Sequence, residues 1–231
     1  MARMVPATII DEALNHGERD LFYALKEGLD ASFTVFHSYD LLVKKATGRL
    51  LPIEIDFVIF SPAHGLLALE VKGGAVGYDP DRHVWLQNDR EMKQSPFAQA
   101  LSAANDLERY LIGKARLSRE HFPLAHAVCF RDVFRDMKNL PADAAPGIII
   151  TGKELPYVGE AVPGILARFR HERHPAALGP REAEAVIHAL VPAFEYGVGL
   201  ADRMDAAERQ VFALTEEQAT AALAEQRAAE E

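Results

Sequence analysis

Asp56, Glu70 and Lys72 are the residues of this chain whose types and spacing could do chemistry together. Asp56 lies in Ile53-Glu54-Ile55-Asp56-Phe57-Val58-Ile59-Phe60, and Glu70 and Lys72 close Leu66-Leu67-Ala68-Leu69-Glu70-Val71-Lys72. Between them Ser61-Pro62-Ala63-His64-Gly65 has turn chemistry, so the whole reads as a β-hairpin. Strand side chains alternate with a period of two, which collects Ile53, Ile55, Phe57, Ile59, Leu67, Leu69 and Val71 on one face as core. The other face presents Glu54, Asp56, Glu70 and Lys72 among Val58, Phe60, Leu66 and Ala68. In a hairpin symmetric about Ala63, Asp56 faces Glu70 and Glu54 faces Lys72. Opposed side chains have Cβ atoms about 4.5 to 5.5 Å apart, where like charges destabilise a sheet. A divalent cation compensates naturally, because two such carboxylates can both reach one Mg²⁺ or Mn²⁺, which takes oxygen ligands and keeps waters for chemistry. The plain alternative is an exposed Glu54–Lys72 ion pair with Asp56 and Glu70 solvated. The apolar residues on the same face weigh against it.

Elements around the hairpin must hold it in place. Gly17 to Leu29 carries Leu21, Phe22, Leu25 and Leu29 at helical spacing. Phe33 to His37 is a short β-prone run, followed by a basic loop with Lys44, Lys45 and Arg49. Beyond Gly73-Gly74, Val76 to Tyr78 and Val84 to Leu86 flank Asp79-Pro80-Asp81 as a second hairpin. Pro96 to Ile112 is an amphipathic helix with Phe97, Ala100, Leu101, Ala104, Leu107 and Leu111 on its apolar side. Leu124 to Phe130 and Gly147 to Ile150 are strands apolar enough to be covered on both faces. Helices at Gly159 to Arg170 and Pro180 to Phe194 complete a mixed α/β body.

Asp56, thirteen intervening residues and then Glu70-Val71-Lys72 resemble the PD-(D/E)xK nuclease pattern. The surroundings sharpen the likeness: Gly17-Glu18-Arg19-Asp20 opening a helix, Leu69-Glu70-Val71-Lys72-Gly73-Gly74 ending a strand, Trp85, and Ser95-Pro96-Phe97-Ala98-Gln99-Ala100. Together these motifs resemble the NERD, or nuclease-related, domain over residues 14 to 130. The resemblance implies an α/β fold with a restriction-endonuclease-like core, a mixed central β-sheet flanked by helices. It implies Asp56, Glu70 and the main-chain carbonyl of Val71 as metal ligands for Mg²⁺ or Mn²⁺. Lys72 would position the attacking water and stabilise charge at phosphorus. Glu18 would assist the metal site from the first helix, unless it is only a helix N-terminal acid favoured by the macrodipole. Gln99 would support the site from its helix, unless it simply faces solvent.

A net charge of −9 is unfavourable for a nucleic-acid binder, which normally presents a basic surface. Its location matters more than its total: eight acids against three arginines between Asp202 and Glu231 carry −5 of it. A rim of Lys44, Lys45, Arg49, Arg90, Lys93, Lys114, Arg116 and Arg119 is available to phosphates. No secretory signal or apolar span of the ~18 residues a membrane requires is visible, so the expected setting is cytoplasmic. The lone Cys129 sits in an apolar run as an inert thiol. Gly147 to Glu154 nearly matches a phosphate loop, but Glu154 replaces the metal-binding hydroxyl and the stretch is an isoleucine strand, so ATP binding is not expected. His171 and His174 have no partner ligands at metal spacing.

Phe212-Ala213-Leu214-Thr215-Glu216-Glu217-Gln218 resembles the glutamine motif that opens superfamily 1 helicase motors. The expected organisation is therefore a nuclease domain over residues 1–200 and, over 201–231, a linker with the truncated start of such a motor. The plain alternative is a C-terminal helix capped by Thr215 and Gln218. The leading functional expectation is a metal-dependent deoxyribonuclease coupled to a helicase in cis. Its expected partner is DNA, with RNA, strand preference and a homodimer left open and no membrane partner. A catalytically weak DNA-docking module is the alternative, and an interaction platform without nucleic-acid contact is third.

Overall fold

The turn over residues 61–65, between two strands whose outer ends alternate apolar and polar residues, produces the hairpin at the centre of the molecule. The computed structural model describes residues 1–8, 16–44 and 49–191. Met1–Leu190 form one compact unit. Phe212–Gln218, Lys45 and the far end of the last expected helix lie outside the described residues.

The main sheet has six strands in the order β1-β2-β3-β4-β8-β9. They are β1 (Arg3–Val5), β2 (Thr34–Lys44), β3 (Leu50–Ser61), β4 (Gly65–Lys72), β8 (Leu124–Phe130) and β9 (Ile149–Thr151). β2, β3 and β4 run antiparallel to their neighbours in that series, whereas β1 lies parallel to β2, and β8 and β9 continue parallel to β4. A second sheet of β5 (Val76–Asp79), β6 (Val84–Gln87) and β7 (Arg90–Glu91) follows the Gly73-Gly74 pair. This mixed sheet flanked by helices is the expected α/β architecture.

Burial on both faces explains the near-continuous apolar character of β4 and β8. On one face, α1 (His16–Gly28) and α3 (Val158–Arg168) lay Leu21, Phe22, Leu25, Val162 and Leu166 over Phe57, Ile59, Leu67, Leu69 and Ala127. On the other, α2 (Pro96–Ala115) and α4 (Pro180–Leu190) pack Ala104, Leu107, Leu111 and Val186 on Val58, Phe60, Leu66 and Ala68. Trp85, Phe97, Val128 and Phe130 join the small sheet to the start of α2 and the end of β8. The Ser95 hydroxyl caps α2 by accepting from the Phe97 amide at 3.2 Å, and Pro96 occupies the first turn, where its missing N–H costs nothing. Arg116 ends the helix in the left-handed conformation.

Several sequence expectations need correction. β2 runs to Lys44 rather than stopping near His37, because ten pairings with β3 carry it through the polar Ser38-Tyr39-Asp40 interruption. Lys44 is thus the last strand residue, not part of a loop. The stretch expected as a strand from Gly147 begins as a 3-10 turn over Pro146–Ile148, and the strand itself is Ile149–Thr151. Ile55 does not share a face with Phe57: it packs with Val58 and Phe60 beneath α2 and α4, while Phe57 and Ile59 lie beneath α1 and α3. The cause is a break opposite Asp56, where Ser38 adopts φ 47° and the β2–β3 ladder passes from His37↔Phe57 to Tyr39↔Ile55. Among the described residues no helix is long and apolar enough to cross a membrane.

Candidate active site

Asp56 stands at a defect in the sheet on both sides. It has no ladder partner on β2, and the β3–β4 ladder keeps the register expected about Ala63 but ends at Phe57↔Leu69, one step short of Asp56 and Glu70. Freed from the regular pleat, the Asp56 carboxylate takes the role of a strand acceptor: the Val71 N–H donates to Oδ2 at 2.7 Å. Irregular sheet positions of this kind often serve to re-aim a functional side chain.

Glu70 and Lys72 are two residues apart on β4 and so point the same way. The Lys72 ammonium donates to Glu70 Oε1 at 2.5 Å, and the two side chains are only 17% and 14% exposed. This contact replaces the expected Glu54–Lys72 pair, because the ladder stops before reaching Glu54; that residue is exposed and faces Asp40 of β2.

Glu18 enters from the first turn of α1. Its Oε2 lies 3.7 Å from Nε2 of the buried His37, whose ring packs against Phe22 and Phe57 at centroid distances of 5.9 and 4.8 Å. Burial first, then the charges of Glu70 and Glu18, push Asp56 up to about 7, against the opposing pull of the Val71 amide and Lys72. Four of the five side chains singled out from the sequence therefore meet: Asp56, Glu70, Lys72 and Glu18 line one cavity of about 530 Å³ with Val71. Gln99 is not among its lining residues. It sits in the first turn of α2 with its Oε1 buried and without a partner among the described residues, which also corrects the reading that it faces solvent.

The same cavity holds His16, Gln87, Asn88 and Asp132, which the sequence did not single out. Asp132 follows β8, and its Oδ2 accepts from the Gly74 amide at 2.6 Å. That amide, with the neighbouring Arg131 guanidinium, holds the Asp132 carboxyl below its usual range. Arg131 also pairs with Asp20 of α1, so one arginine ties α1, the end of β8 and the turn after β4. Gln87 donates to the Gly73 carbonyl at 2.7 Å, and Asn88 Oδ1 accepts from Ala75 at 2.9 Å. Gly74 is required here: its φ is 80°, and a Cβ would fall 2.3 Å from Asn88 Oδ1. A usable signal for Asp132 existed, since ligands in open α/β sheets gather beyond the carboxyl ends of parallel strands, and β4 and β8 both end there.

The Gly147–Glu154 stretch forms β9 and a turn in which Glu154 accepts from the Thr151 amide and hydroxyl at 2.8 and 3.1 Å. His174 Nε2 lies 2.7 Å from the Arg119 carbonyl oxygen.

The family model described as the nuclease-related domain, NERD, matches residues 13–131. No curated protein and no solved structure matches the chain.

Proposed function

This chain belongs to the nuclease-related domain family, and from that premise we propose that it hydrolyses phosphodiester bonds of DNA, using Mg²⁺ or Mn²⁺ held by Asp56 and Glu70. The carrying observation is that Asp56, Glu70, Lys72 and Glu18 line one cavity, in which burial first and then the charges of Glu70 and Glu18 raise the proton affinity of Asp56.

The donor set fits a hard cation. Among the described residues no three His, Cys, Asp or Glu side chains are grouped to hold a metal ion. A cation at Asp56 and Glu70 would thus complete its shell with the Val71 main-chain oxygen and water, the oxygen-rich, water-rich environment that Mg²⁺ favours. When bound, such an ion polarises phosphate oxygens and makes water a better nucleophile.

The protein's own residues do the positioning. Asp56 is fixed by the Val71 amide and Glu70 by the Lys72 ammonium, so neither carboxylate has to search for its geometry. Lys72 places a donor at the cavity wall, where it holds a water and opposes the negative charge that grows at phosphorus. Glu18 adds negative charge from α1, and Asp132, whose carboxylate is held by the Gly74 amide, lines the same cavity. Coupling to a helicase motor in cis belongs to the same proposal and rests on Phe212–Gln218 alone.

The test is incubation of purified protein with single- and double-stranded DNA plus Mg²⁺ or Mn²⁺, beside Asp56→Ala and Lys72→Ala. Cleavage that both substitutions abolish supports the assignment, and cleavage that survives both overturns it. One observation favours the second reading, a DNA-docking module: both carboxylates already have partners in the protein itself. DNA binding without any cleavage is its signature.

A further inference from the structure

Three hollows adjoin along the ends of β4 and β8. The carboxylate cavity shares Gly74 and Asp132 with a second cavity of about 400 Å³. That cavity shares Val76, Val133 and Arg135 with a third of about 1130 Å³, between the β5–β6 hairpin and the loop over residues 133–142. The three form one track leading away from Asp56 and Glu70.

Aromatic rings and unpaired cations line it. Phe134 is 64% exposed, yet its ring is laid on Gly152, where a Cβ would come within 2.9 and 3.0 Å of two ring atoms. An apolar ring left this exposed is a platform rather than a core residue. Tyr78 packs edge-on against Trp85 at 5.4 Å, with its hydroxyl 3.2 Å from His83 Nδ1. Asp136 of the loop is bound by Lys153 at 2.9 Å, and Asp132 by Arg131 and the Gly74 amide. Arg135 and Lys138 have no ion pair among the described residues, so the uncompensated charge of the two outer hollows is positive in a chain of net charge −9.

We propose that this track holds an unpaired flank of single-stranded DNA, with bases on Phe134 and Tyr78 and phosphates on Arg135 and Lys138. The inference rests on the DNA reading above and names the form of that substrate. Accessible aromatic rings, exposed Phe134 and half-buried Tyr78, recognise base faces, which a duplex keeps stacked on each other, whereas unpaired cations follow the backbone of either form. The combination therefore selects a strand that is already open.

Fluorescence anisotropy in EDTA, with labelled oligothymidine, oligouridine and a blunt duplex of roughly equal length, reads binding with no cleavage. The wild type binds the thymidine strand in preference to the duplex. Phe134→Ala weakens that binding roughly tenfold, and Arg135→Glu with Lys138→Glu weakens it further and flattens its salt dependence. Phe134 is exposed, so its loss leaves the fold intact, and Tyr78→Ala supplies an independent second probe. Equal affinity of wild type and variants, or preference for the blunt duplex, overturns the track; tighter binding of oligouridine overturns the assignment to DNA. Cleavage without dependence on Phe134 removes this inference alone, while strand binding through Phe134 without cleavage removes the nuclease reading alone.

Discussion

Replacing Asp56 by Asn should make the metal-free protein more stable while destroying its activity. The group moves from 3.8 to about 7 on folding, because burial and the charges of Glu70 and Glu18 disfavour its ionised form. A raised folded-state value means that the native state holds the proton more tightly than the unfolded chain. The associated stability is fully present below 3.8 and is lost as pH rises through about 7. Above that point an ionised Asp56 costs up to roughly 4 kcal/mol, and about half of that is a fair expectation once water enters the cavity and its walls relax. Asparagine keeps an oxygen for the Val71 amide and presents no charge to Glu70 or Glu18. At ~2 kcal/mol, a protein of this size gains about 4 to 8 °C in Tm. Thermal unfolding followed by circular dichroism in EDTA, near pH 8 and again near pH 4, reads this directly. The gap between variant and wild type opens as pH rises past 3.8 and closes in acid. A variant no more stable than wild type near pH 8, or a gap that widens in acid, refutes the electrostatic reasoning.

Other residues give independent checks. Lys72→Ala should lower kcat by about 10²- to 10³-fold, as loss of a charge-stabilising donor does, with much less effect on metal affinity, and single-turnover kinetics with a parallel metal titration separate the two. Gly74→Ala forces a side chain into φ 80° and onto Asn88, so it should cost about 1 to 3 kcal/mol in denaturant unfolding and reduce cleavage together with stability. The Cys129 thiol is fully buried and pushed up to about 12 by that burial, so it should react with a thiol reagent only at the rate of global unfolding.

The hairpin and its register were legible because the outer ends of its strands, Ile53 to Phe57 and Leu69 to Lys72, alternate and the turn between them is short. From residue types alone, Asp56, Glu70 and Lys72 could be placed near one another. Which partner each would choose could not. The Lys72–Glu70 contact and the Asp56–Val71 bond both follow from where the β3–β4 ladder stops, and a ladder's end leaves no trace in periodicity. The break in the β2–β3 ladder at Ser38 moved Ile55 to the other layer. β7, the two residues Arg90–Glu91, is too short to carry a period at all. Asp132 reaches the cavity through the long-range pairing of β4 with β8, which no local pattern encodes, whereas Asn88 follows the β5–β6 hairpin, whose two strands were legible. Glu18 was pointed to by the family resemblance, whereas its place in the first turn of α1 suggested by itself only a favourable helix-dipole interaction. The same kind of reasoning placed Gln99 correctly on α2 but gave no direction for its side chain, which the packing of α2 against β4 and β8 decides.

Calorimetric titration of Mn²⁺ into the metal-free protein near neutral pH, repeated with Asp56→Asn, asks most directly whether the two acids at the break in the sheet exist to share a cation. Stoichiometric binding by the wild type, accompanied by proton release and absent from the variant, is the expected result. Heat of binding that is missing from the wild type, or unchanged in the variant, would leave the acids as structural partners of Val71 and Lys72 and contradict their assignment as a metal-dependent catalytic centre.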